Sequence, residues 1–225
     1  MRGVFVTGTD TGVGKTVVAA AICAALAARG ERVGAFKPVV TGIGDPPDPV
    51  WPRDHELLAA AAGGGQSPSD VAPYTFGPPL SPHYAAELAG TSIDPDRLRG
   101  AARATSAGFD VAICEGVGGL LVPITGRYSV RDLAVDLDLP LIVVARTGLG
   151  TISHTLLTVE AARAAGLTVA GIVMTPWAAD PEPIEESNRA TVEQLSGIRV
   201  SVLTSVTPET LEGGGESLPI DDWLP

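Results

Sequence analysis

Lysine is the scarcest charged residue in this chain of 225 residues. The sequence carries 15 basic side chains, but only Lys15 and Lys37 are lysines, and the others are arginines. Against 26 acidic side chains this gives a formal net charge of −11. Because a basic patch that could release counterions is lacking, we expect no nucleic acid and no anionic membrane among the partners of this protein.

Aromatic residues, cysteines and long apolar runs are also few. With aromatics at 4% and hydrophobic residues at 45%, the core must be aliphatic, which suits a parallel sheet buried under helices. Cys23 and Cys114 lie far apart in apolar runs and are expected to be small core residues in a reducing compartment. The longest apolar run, Val17–Ala28, is too short to span a bilayer. We therefore expect a cytoplasmic protein.

Short β-branched runs alternate with helical stretches, a pattern that builds a mostly parallel sheet with helices on both faces. The predicted strands are Val4–Thr7, Val33–Val40, Val111–Glu115, Leu141–Ala145, Val169–Met174 and Val200–Thr204. The predicted helices are Lys15–Arg29, Asp54–Ala62, Pro82–Leu88, Pro95–Ala107, Arg127–Asp136, Ile152–Ala165 and Ile184–Leu195. Since no long linker divides the chain, we expect residues 1–225 to form a single α/β domain.

Two segments interrupt this alternation. Residues 42–53 are rich in Pro, Gly and Asp and are predicted to be irregular. They follow a strand and therefore emerge at the carboxyl edge of the sheet, where ligands bind in open α/β folds. The tail from Thr207, with the run Gly213–Gly215, is expected to be a loosely held surface excursion.

The strongest functional signal is the segment Gly8–Thr16, GTDTGVGKT, between a predicted strand and a predicted helix. This context is typical of a phosphate-binding loop, in which consecutive backbone N–H groups and the helix N-terminus attract phosphate. Lys15 can reach the β- and γ-phosphates, and the Thr16 hydroxyl can bind Mg²⁺. The strict GxxxxGK[ST] spacing requires glycine where this chain has Thr9, so a chance glycine-rich loop is the alternative.

Further candidates lie in three regions: the end of the predicted strand Val111–Glu115, the predicted strand Val33–Val40 with the helix start that follows it, and the turn after Leu141–Ala145. Glu115 can hold Mg²⁺ beside phosphates, unless it is an ordinary solvated residue at a strand end. Lys37 is either a second cation aimed at an anionic substrate or a strand-edge lysine that extends to solvent. Asp54 is either the N-cap of its helix or a further Mg²⁺ ligand. The turn at 146–154 either binds a second anion, such as a substrate carboxylate, or is a plain turn capped by Thr or Ser.

Five motifs occur in the order found in dethiobiotin synthetases, and the chain resembles that family. They are GTDTGVGKT at 8–16, FKPVVTG at 36–42, PLSPHYAA at 79–86, EGVGGLLVPI at 115–124 and GLGTISHTLLT at 148–158. The resemblance implies a homodimeric, Mg²⁺-dependent ligase with a P-loop NTPase fold. Such an enzyme forms the ureido ring of dethiobiotin from 7,8-diaminopelargonic acid, CO₂ and ATP, by way of a carbamate and a carbamic–phosphoric anhydride, and releases ADP and phosphate.

The resemblance also assigns roles to matching positions. Lys15 and Lys37 are expected to be catalytic, and Thr16, Asp54 and Glu115 to bind the metal. The expected nucleotide-binding residues are Thr11, Gly12, Val13, Gly14, Lys15, Thr16, Val17, Asp54, Glu115, Gly116, Val117, Gly118, Thr175 and Pro176. The expected substrate-binding residues are Thr41, Gly118, Gly150, Thr151, Ile152 and Ser153, and the turn that holds the last four is expected to receive the substrate carboxylate across the dimer interface.

One position departs from the family pattern, and one other class of protein stays open. Where the family commonly has an Asn that reads the adenine edge, this chain has Thr175. A hydroxyl cannot reproduce a bidentate amide contact, so we expect a looser preference for ATP and use of other nucleoside triphosphates. The alternative function is a partitioning-type P-loop ATPase switch. That group carries a further Lys early in its loop, where this chain has Thr9, Asp10 and Thr11.

Overall fold

The computed structural model describes residues 2–225 and is built around one six-stranded sheet. The strands of the main sheet and of two smaller two-stranded sheets are, in chain order, β1 (Gly3–Gly8), β2 (Val33–Phe36), β3 (Val40–Thr41), β4 (Thr75–Phe76), β5 (Val111–Gly119), β6 (Pro123–Thr125), β7 (Tyr128–Ser129), β8 (Leu141–Ala145), β9 (Val169–Trp177) and β10 (Val200–Thr204). Its helices are α1 (Lys15–Ala28), α2 (Asp54–Ala61), α3 (Pro68–Val71), α4 (Pro82–Leu88), α5 (Pro95–Gly108), α6 (Val130–Leu137), α7 (Thr151–Ala164), α8 (Pro183–Ser196), α9 (Leu211–Glu216) and α10 (Ile220–Trp223).

The main sheet has the strand order β10-β9-β8-β1-β5-β2, and each pair of neighbours is parallel. Its strands are apolar on both faces. Val4 and Val6 of β1 pack into the cluster that contains α1, whereas Phe5 packs into the cluster that contains α5 and α6. Helices on both faces require such continuous aliphatic strands. The predicted α/β class with a mostly parallel sheet is confirmed.

Each predicted strand and helix overlaps an observed one, but the predicted strand Val33–Val40 is too long. The strand β2 ends at Phe36, and Val40–Thr41 pairs with Thr75–Phe76 in a separate two-stranded sheet. The backbone N–H of Lys37 donates to the Val71 carbonyl at 2.9 Å on the outer edge of the sheet. The alternation of a strand would turn the next backbone nitrogen toward β5, and Pro38 has no hydrogen to donate there.

The predicted helix Arg127–Asp136 begins too early. Tyr128–Ser129 forms a short antiparallel ladder with Pro123–Thr125, and α6 starts at Val130. Ser129 caps this helix, because its hydroxyl accepts the N–H of Asp132 and the Asp132 carboxylate accepts the N–H of Ser129. Tyr128 and Ser129 therefore belong to the hairpin and its cap, although the sequence predicts them in the first turn of the helix.

The segment 42–53 contains no helix or strand, as predicted. It is nevertheless held by its own hydrogen bonds. The Arg53 guanidinium donates to the Gly42 carbonyl at 3.3 Å, which joins the two ends of the segment. The Asp48 carboxylate accepts the backbone N–H of Trp51 at 2.9 Å.

The prediction of a loosely held tail from Thr207 is wrong. The tail forms a 3₁₀ turn followed by α9 and α10, and Leu211 and Trp223 are buried. Gly215 makes this packing possible, because a Cβ added there would lie 2.0 Å from the carbonyl oxygen of Ala21 in α1. Gly215 is thus a point of close contact between α9 and α1, the helix that follows the phosphate loop. No helix within residues 2–225 combines the length and the apolar character that a membrane crossing requires.

Replacement of Gly215 by Ala is expected to destabilise the fold by at least about 2 kcal/mol, because the new methyl group meets backbone rather than a mobile side chain. Gly213→Ala is the matched control, since a Cβ at Gly213 meets no atom within 4 Å and alanine favours a helix by up to about 1 kcal/mol. Urea unfolding of both variants measures the difference. Equal stabilities for the two variants would contradict the close contact.

Candidate active site

The phosphate loop joins the end of β1 to the start of α1. Gly12 and Gly14 have φ of 69° and 91°, a region that L side chains rarely adopt. Gly14 occupies the N-cap position, and the first helical bond runs from the Val18 N–H to the Gly14 carbonyl at 3.0 Å. The N–H groups of the first helical turn therefore precede the hydrogen-bonded ladder of the helix and face the loop.

Lys15 is enclosed by the same loop. Its side chain is 6% exposed, and its Nζ donates to the Asp10 carbonyl at 2.7 Å. A Cβ at Gly8 would lie 2.9 Å from the Cδ of Lys15. Gly8, which precedes the position where the strict motif has glycine, therefore gives room for the lysine side chain. Burial lowers the pKa of Lys15 to about 8, although the nearby Glu115 carboxylate works in the opposite direction.

Four polar side chains from separate elements meet beside this loop. The Nζ of Lys37 lies 2.5 Å from Oε1 of Glu115 and 2.8 Å from Oδ2 of Asp54. The Thr16 hydroxyl donates to the same Oε1 of Glu115 at 2.9 Å. The alternatives of a solvated Glu115 and a solvent-extended Lys37 are wrong, since these residues are 0% and 3% exposed. Asp54 is the first helical residue of α2, and the N-cap position belongs to Arg53.

The charges of this group are set by burial and by one another. Burial alone would lower the pKa of Lys37, but the carboxylates of Glu115 and Asp54 hold it above its ordinary value. The Lys37 ammonium lowers the pKa of Asp54. Burial raises the pKa of Glu115, and Lys37 opposes that rise. The site therefore pairs the Lys37 ammonium with Glu115, whose side chain is fully buried.

The oxygen atoms of this group fit a magnesium ion that is bound together with phosphates. Oε2 of Glu115 is buried and has no hydrogen-bond partner among residues 2–225. Within the same residues no cluster of three or more His, Cys, Asp or Glu side chains is arranged around a metal position. Mg²⁺ is commonly held by one or two carboxylates with the remaining ligands from phosphate and water. Thr16, Asp54 and Glu115 supply such an incomplete set.

These side chains line a cavity of about 850 Å³, large enough for a triphosphate end and a small second substrate. Its lining also contains apolar side chains, among them Val39, Leu80 and Val122. Of the residues predicted from the sequence, those that line it are Thr11, Gly12, Gly14, Lys15, Thr16, Val17, Lys37, Thr41, Asp54, Glu115, Val117 and Gly118. The structure thus brings the two lysines, the three residues predicted to bind the metal and Thr41 into one cavity.

The other predicted nucleotide-binding residues lie around the loop rather than in this cavity. Val13 is buried in the core at 2% exposure. A Cβ at Gly116 would lie 2.7 Å from Cγ1 of Val130, so this glycine serves helix packing. Thr175 is buried at the end of β9, and a Cβ at Gly14 would lie 2.7 Å from its Cγ2. The end of β9 therefore contacts the phosphate loop directly, with Pro176 exposed beside it.

The predicted substrate turn, Gly150–Ser153, is not part of the main cavity. It begins α7, with Gly150 at the N-cap and φ of 89°. The Thr151 hydroxyl donates to the Arg146 carbonyl at 2.6 Å, while the Arg146 guanidinium donates to the Thr11 carbonyl at 2.9 Å. The turn is therefore fixed and tied to the phosphate loop, although it lies outside the cavity of its own chain.

Sequence reasoning missed residues that support the site from outside. Asn188 of α8 is buried, and its amide donates to the carbonyls of Thr147 and Gly148 at 2.8 and 3.1 Å. A single Asn in an amphipathic helix gives no signal of this role. Asp48 and Trp51 line the cavity from the irregular segment, and only its position after a strand indicated this.

Comparison with known sequences gives close relatives of one name. A family model described as an AAA domain matches residues 2–211. An ATP-dependent dethiobiotin synthetase of Anaeromyxobacter dehalogenans (strain 2CP-1) is 46% identical over 196 residues, which is 87% of this chain and 86% of the relative. One from Bacillus subtilis (strain 168) is 37% identical over 216 residues, or 94% of this chain and 92% of the relative.

Comparison with solved structures gives the fold. A cell division ATPase, MinD, of Pyrococcus furiosus superposes with a TM-score of 0.57 at 18% identity, covering 97% of this chain and 90% of that protein. A ParA family ATPase of Chlorobium tepidum gives 0.53 at 14% identity, covering 97% and 92%. Both are P-loop ATPases, so the predicted P-loop NTPase fold is confirmed. At these identities the likeness extends to the fold alone, and it does not favour the partitioning-type alternative.

Proposed function

The chain belongs to the ATP-dependent dethiobiotin synthetase family, and on that premise we propose that it closes the ureido ring of dethiobiotin from 7,8-diaminopelargonic acid, CO₂ and a nucleoside triphosphate. One observation supports this most strongly. The only two lysines of the chain meet two carboxylates and a threonine hydroxyl in one cavity at the end of the phosphate loop. This is an arrangement for phosphoryl transfer, which needs positioned cations and no covalent nucleophile.

The first half of the reaction needs a carbamate beside the terminal phosphate. One amine of the substrate bonds to the carbon of CO₂ and loses a proton, which leaves an anionic carbamate. The loop N–H groups and Lys15 bind the β- and γ-phosphates. Thr16, Asp54 and Glu115 would hold Mg²⁺, which when bound neutralises charge on the phosphates. Lys37, which is buried beside the loop, stabilises the carbamate while a carbamate oxygen bonds to the γ-phosphorus and the bond to the β–γ bridging oxygen breaks, so that the nucleoside diphosphate leaves with that electron pair.

The second half closes the ring. The other amine attacks the carbonyl carbon of the carbamic–phosphoric anhydride, the carbon–oxygen bond to phosphate breaks, and phosphate leaves with that electron pair. The amine loses its proton, so one CO₂ carbon remains in the product between two nitrogen atoms. The apolar lining residues Val39, Leu80 and Val122 suit the aliphatic part of the substrate.

The substrate tail and the partner subunit complete the proposal. Thr41 and Gly118 would contact the reacting end of the substrate. The amides of Gly150, Thr151, Ile152 and Ser153 would receive the tail carboxylate in a homodimer, where the turn of one subunit faces the cavity of its partner. Leu149, which is 93% exposed beside this turn, is consistent with a surface that a second copy covers. A cytoplasmic location belongs to the same proposal.

The direct test is incubation of the protein with 7,8-diaminopelargonic acid, bicarbonate, Mg²⁺ and ATP, with mass spectrometry for dethiobiotin. We expect a product whose ureido carbon carries the label of ¹³C-bicarbonate, and one phosphate released per ring. Omission of Mg²⁺ with excess chelator is expected to abolish turnover. Absence of product with ATP, CTP, GTP and UTP would overturn the proposed function.

The preference for ATP over other nucleoside triphosphates is expected to be less than about a thousandfold (~4 kcal/mol), since Thr175 lacks the amide that pairs with adenine. Thr175→Asn is expected to raise this preference at least ~10-fold, whereas Thr175→Ser, which keeps a hydroxyl, leaves it unchanged. The measurement is kcat/KM with each of the four triphosphates. A wild-type preference beyond a thousandfold would show that other groups read the base.

A further inference from the structure

The carboxylate oxygens proposed to bind Mg²⁺ are bonded to a lysine of the same chain. The Nζ of Lys37 lies 2.5 Å from Oε1 of Glu115 and 2.8 Å from Oδ2 of Asp54. We propose that Lys37 and the metal ion compete for these two carboxylates, so that Lys37 turns toward the substrate only when a metal–nucleotide complex binds. This inference rests on the proposed role of Thr16, Asp54 and Glu115 as magnesium ligands.

The competition follows from the geometry of the shared atoms. Oε1 of Glu115 already accepts from both Lys37 and the Thr16 hydroxyl, at 2.5 and 2.9 Å. A magnesium ion binds oxygen at about 2.0–2.1 Å and would take its ligands from the same two carboxylates. An ammonium that keeps its contacts with those carboxylates would stand within a few ångströms of a divalent cation, beside the fully buried Glu115. The repulsion there is screened less than in bulk water, so the two cations oppose each other's contacts with the same carboxylates.

The charge balance explains why the nucleotide is needed. The cavity is lined by the carboxylates of Asp48, Asp54 and Glu115 and by the ammonium groups of Lys15 and Lys37. Lys37 already pairs with Asp54 and Glu115, so a divalent ion alone would meet at most one carboxylate charge that the two lysines do not balance. A triphosphate brings the missing negative charge and a new partner for Lys15. We therefore expect the metal to enter as a complex with the nucleotide.

The release of Lys37 has a consequence for the order of the reaction. A lysine that leaves Asp54 and Glu115 still lies in a buried site, being 3% exposed, and needs an anion as its partner. The carbamate and the transferring phosphoryl group are anions that form in the adjoining space. The fold would thus deliver the second cation only after the phosphoryl donor is in place.

The scarcity of lysine makes this testable in the unaltered protein. With ¹³C,¹⁵N-lysine as the only label, the side chains give two Nζ signals, those of Lys15 and Lys37, and Lys15→Arg assigns them. The signals are followed with MgCl₂ alone, with the non-hydrolysable analogue AMPPCP alone, and with both. We expect the Lys37 signal to move only with both, and the Lys15 signal to move with the analogue alone. A Lys37 signal that stays in place when MgAMPPCP binds would overturn the proposal.

Metal affinity without nucleotide gives a second test, with Mn²⁺ as the probe and electron paramagnetic resonance as the readout. Lys37→Met is expected to bind Mn²⁺ at least tenfold more tightly than the wild type. Lys15→Met is the matched control, because it removes the same charge from the same cavity but its Nζ contacts the Asp10 carbonyl instead of a carboxylate. Equal gains in the two variants would mean general electrostatics and would contradict direct competition.

These tests stand apart from the test of the proposed function. Neither test uses the diamino substrate. Failure to make dethiobiotin would therefore not change the conclusion that these tests give about competition between Lys37 and the metal. In the converse case, product formation with an immobile Lys37 signal removes this inference and leaves the proposed reaction. Should Lys37→Met fail to fold, the spectra of the labelled wild-type protein decide the question.

Discussion

Replacing Lys37 by Arg is expected to lower kcat at least ~10²-fold, comparable to the loss of one donor that stabilises charge in a transition state. The charge is kept, so the loss must come from shape. Lys37 is enclosed, with its ammonium on Asp54 and Glu115 at 2.8 and 2.5 Å. A planar guanidinium would bind these carboxylates in a fork and could not turn from them toward the carbamate as a compact ammonium can.

The measurement for Lys37→Arg is steady-state release of phosphate in the presence of the diamino substrate. The opposite exchange at an exposed position, Arg29→Lys, is the control, because Arg29 pairs with Asp221 at the surface and lies outside the cavity. That variant is expected to keep its turnover. Near-normal turnover of a folded Lys37→Arg enzyme would contradict the role proposed for Lys37.

The parts of the fold that the sequence predicts well are those that local pattern alone determines. Leu141–Ala145 and Val200–Thr204 were predicted to the residue, because an apolar run between turn signals can hardly be anything but a buried strand. The phosphate loop was predicted with its helix, because its glycines, lysine and threonine act through neighbouring backbone.

Two of the predictions that failed depend on atoms far away in the chain. The run Gly213–Gly215 has the local pattern of a flexible tail, and it is Ala21 and Ala25 of α1 that make Gly215 a helix contact. The sequence pattern predicts one continuous strand at 33–40. In the structure the backbone N–H of Lys37 donates to the Val71 carbonyl, and its side chain pairs with Asp54 and Glu115. The local sequence pattern cannot predict contacts with residues that are distant in the chain.

The candidate site shows the same division. Glu115 was predicted as a possible metal ligand at a strand end, but the pattern could not say whether it is solvated, and full burial decides this. The contacts of Asn188 with the turn before α7 carry no local signal, because a polar residue within an amphipathic helix usually faces water. The role of the turn Gly150–Ser153 in binding the substrate carboxylate depends on a second subunit. This role stays a prediction.

The net charge of −11 also gains a sharper meaning from the site. A strongly acidic chain repels anions over most of its surface, so its positive potential must be concentrated where a triphosphate binds. The two lysines and the N-terminus of α1 meet in one cavity, and both lysines are nearly buried there. The charge therefore excludes large surface-bound anions and permits a small one that enters the cavity.

Replacing Lys15 by Arg is expected to lower kcat/KM for the nucleoside triphosphate by ~10³-fold, through binding as well as through turnover. The stem of Lys15 passes over Gly8, where even a Cβ would lie 2.9 Å from its Cδ, and its ammonium sits 2.7 Å from the Asp10 carbonyl inside the loop. A planar guanidinium is larger than the ammonium that fits beside the Asp10 carbonyl, so we expect the loop to open and the N–H groups that bind phosphate to move with it.

The two arginine variants serve as each other's control for this last effect. Calorimetric titration with AMPPCP in the absence of a divalent metal is expected to show at least ~10-fold weaker binding (~1.4 kcal/mol) for Lys15→Arg. Little change is expected for Lys37→Arg, because only Lys15 lies within the loop and no metal has to reach the carboxylates. The kcat of Lys37→Arg would fall without a matching loss of nucleotide affinity. If both variants lost nucleotide affinity equally, the division of labour would be wrong, because Lys37 would then bind the triphosphate rather than the group that receives its phosphoryl.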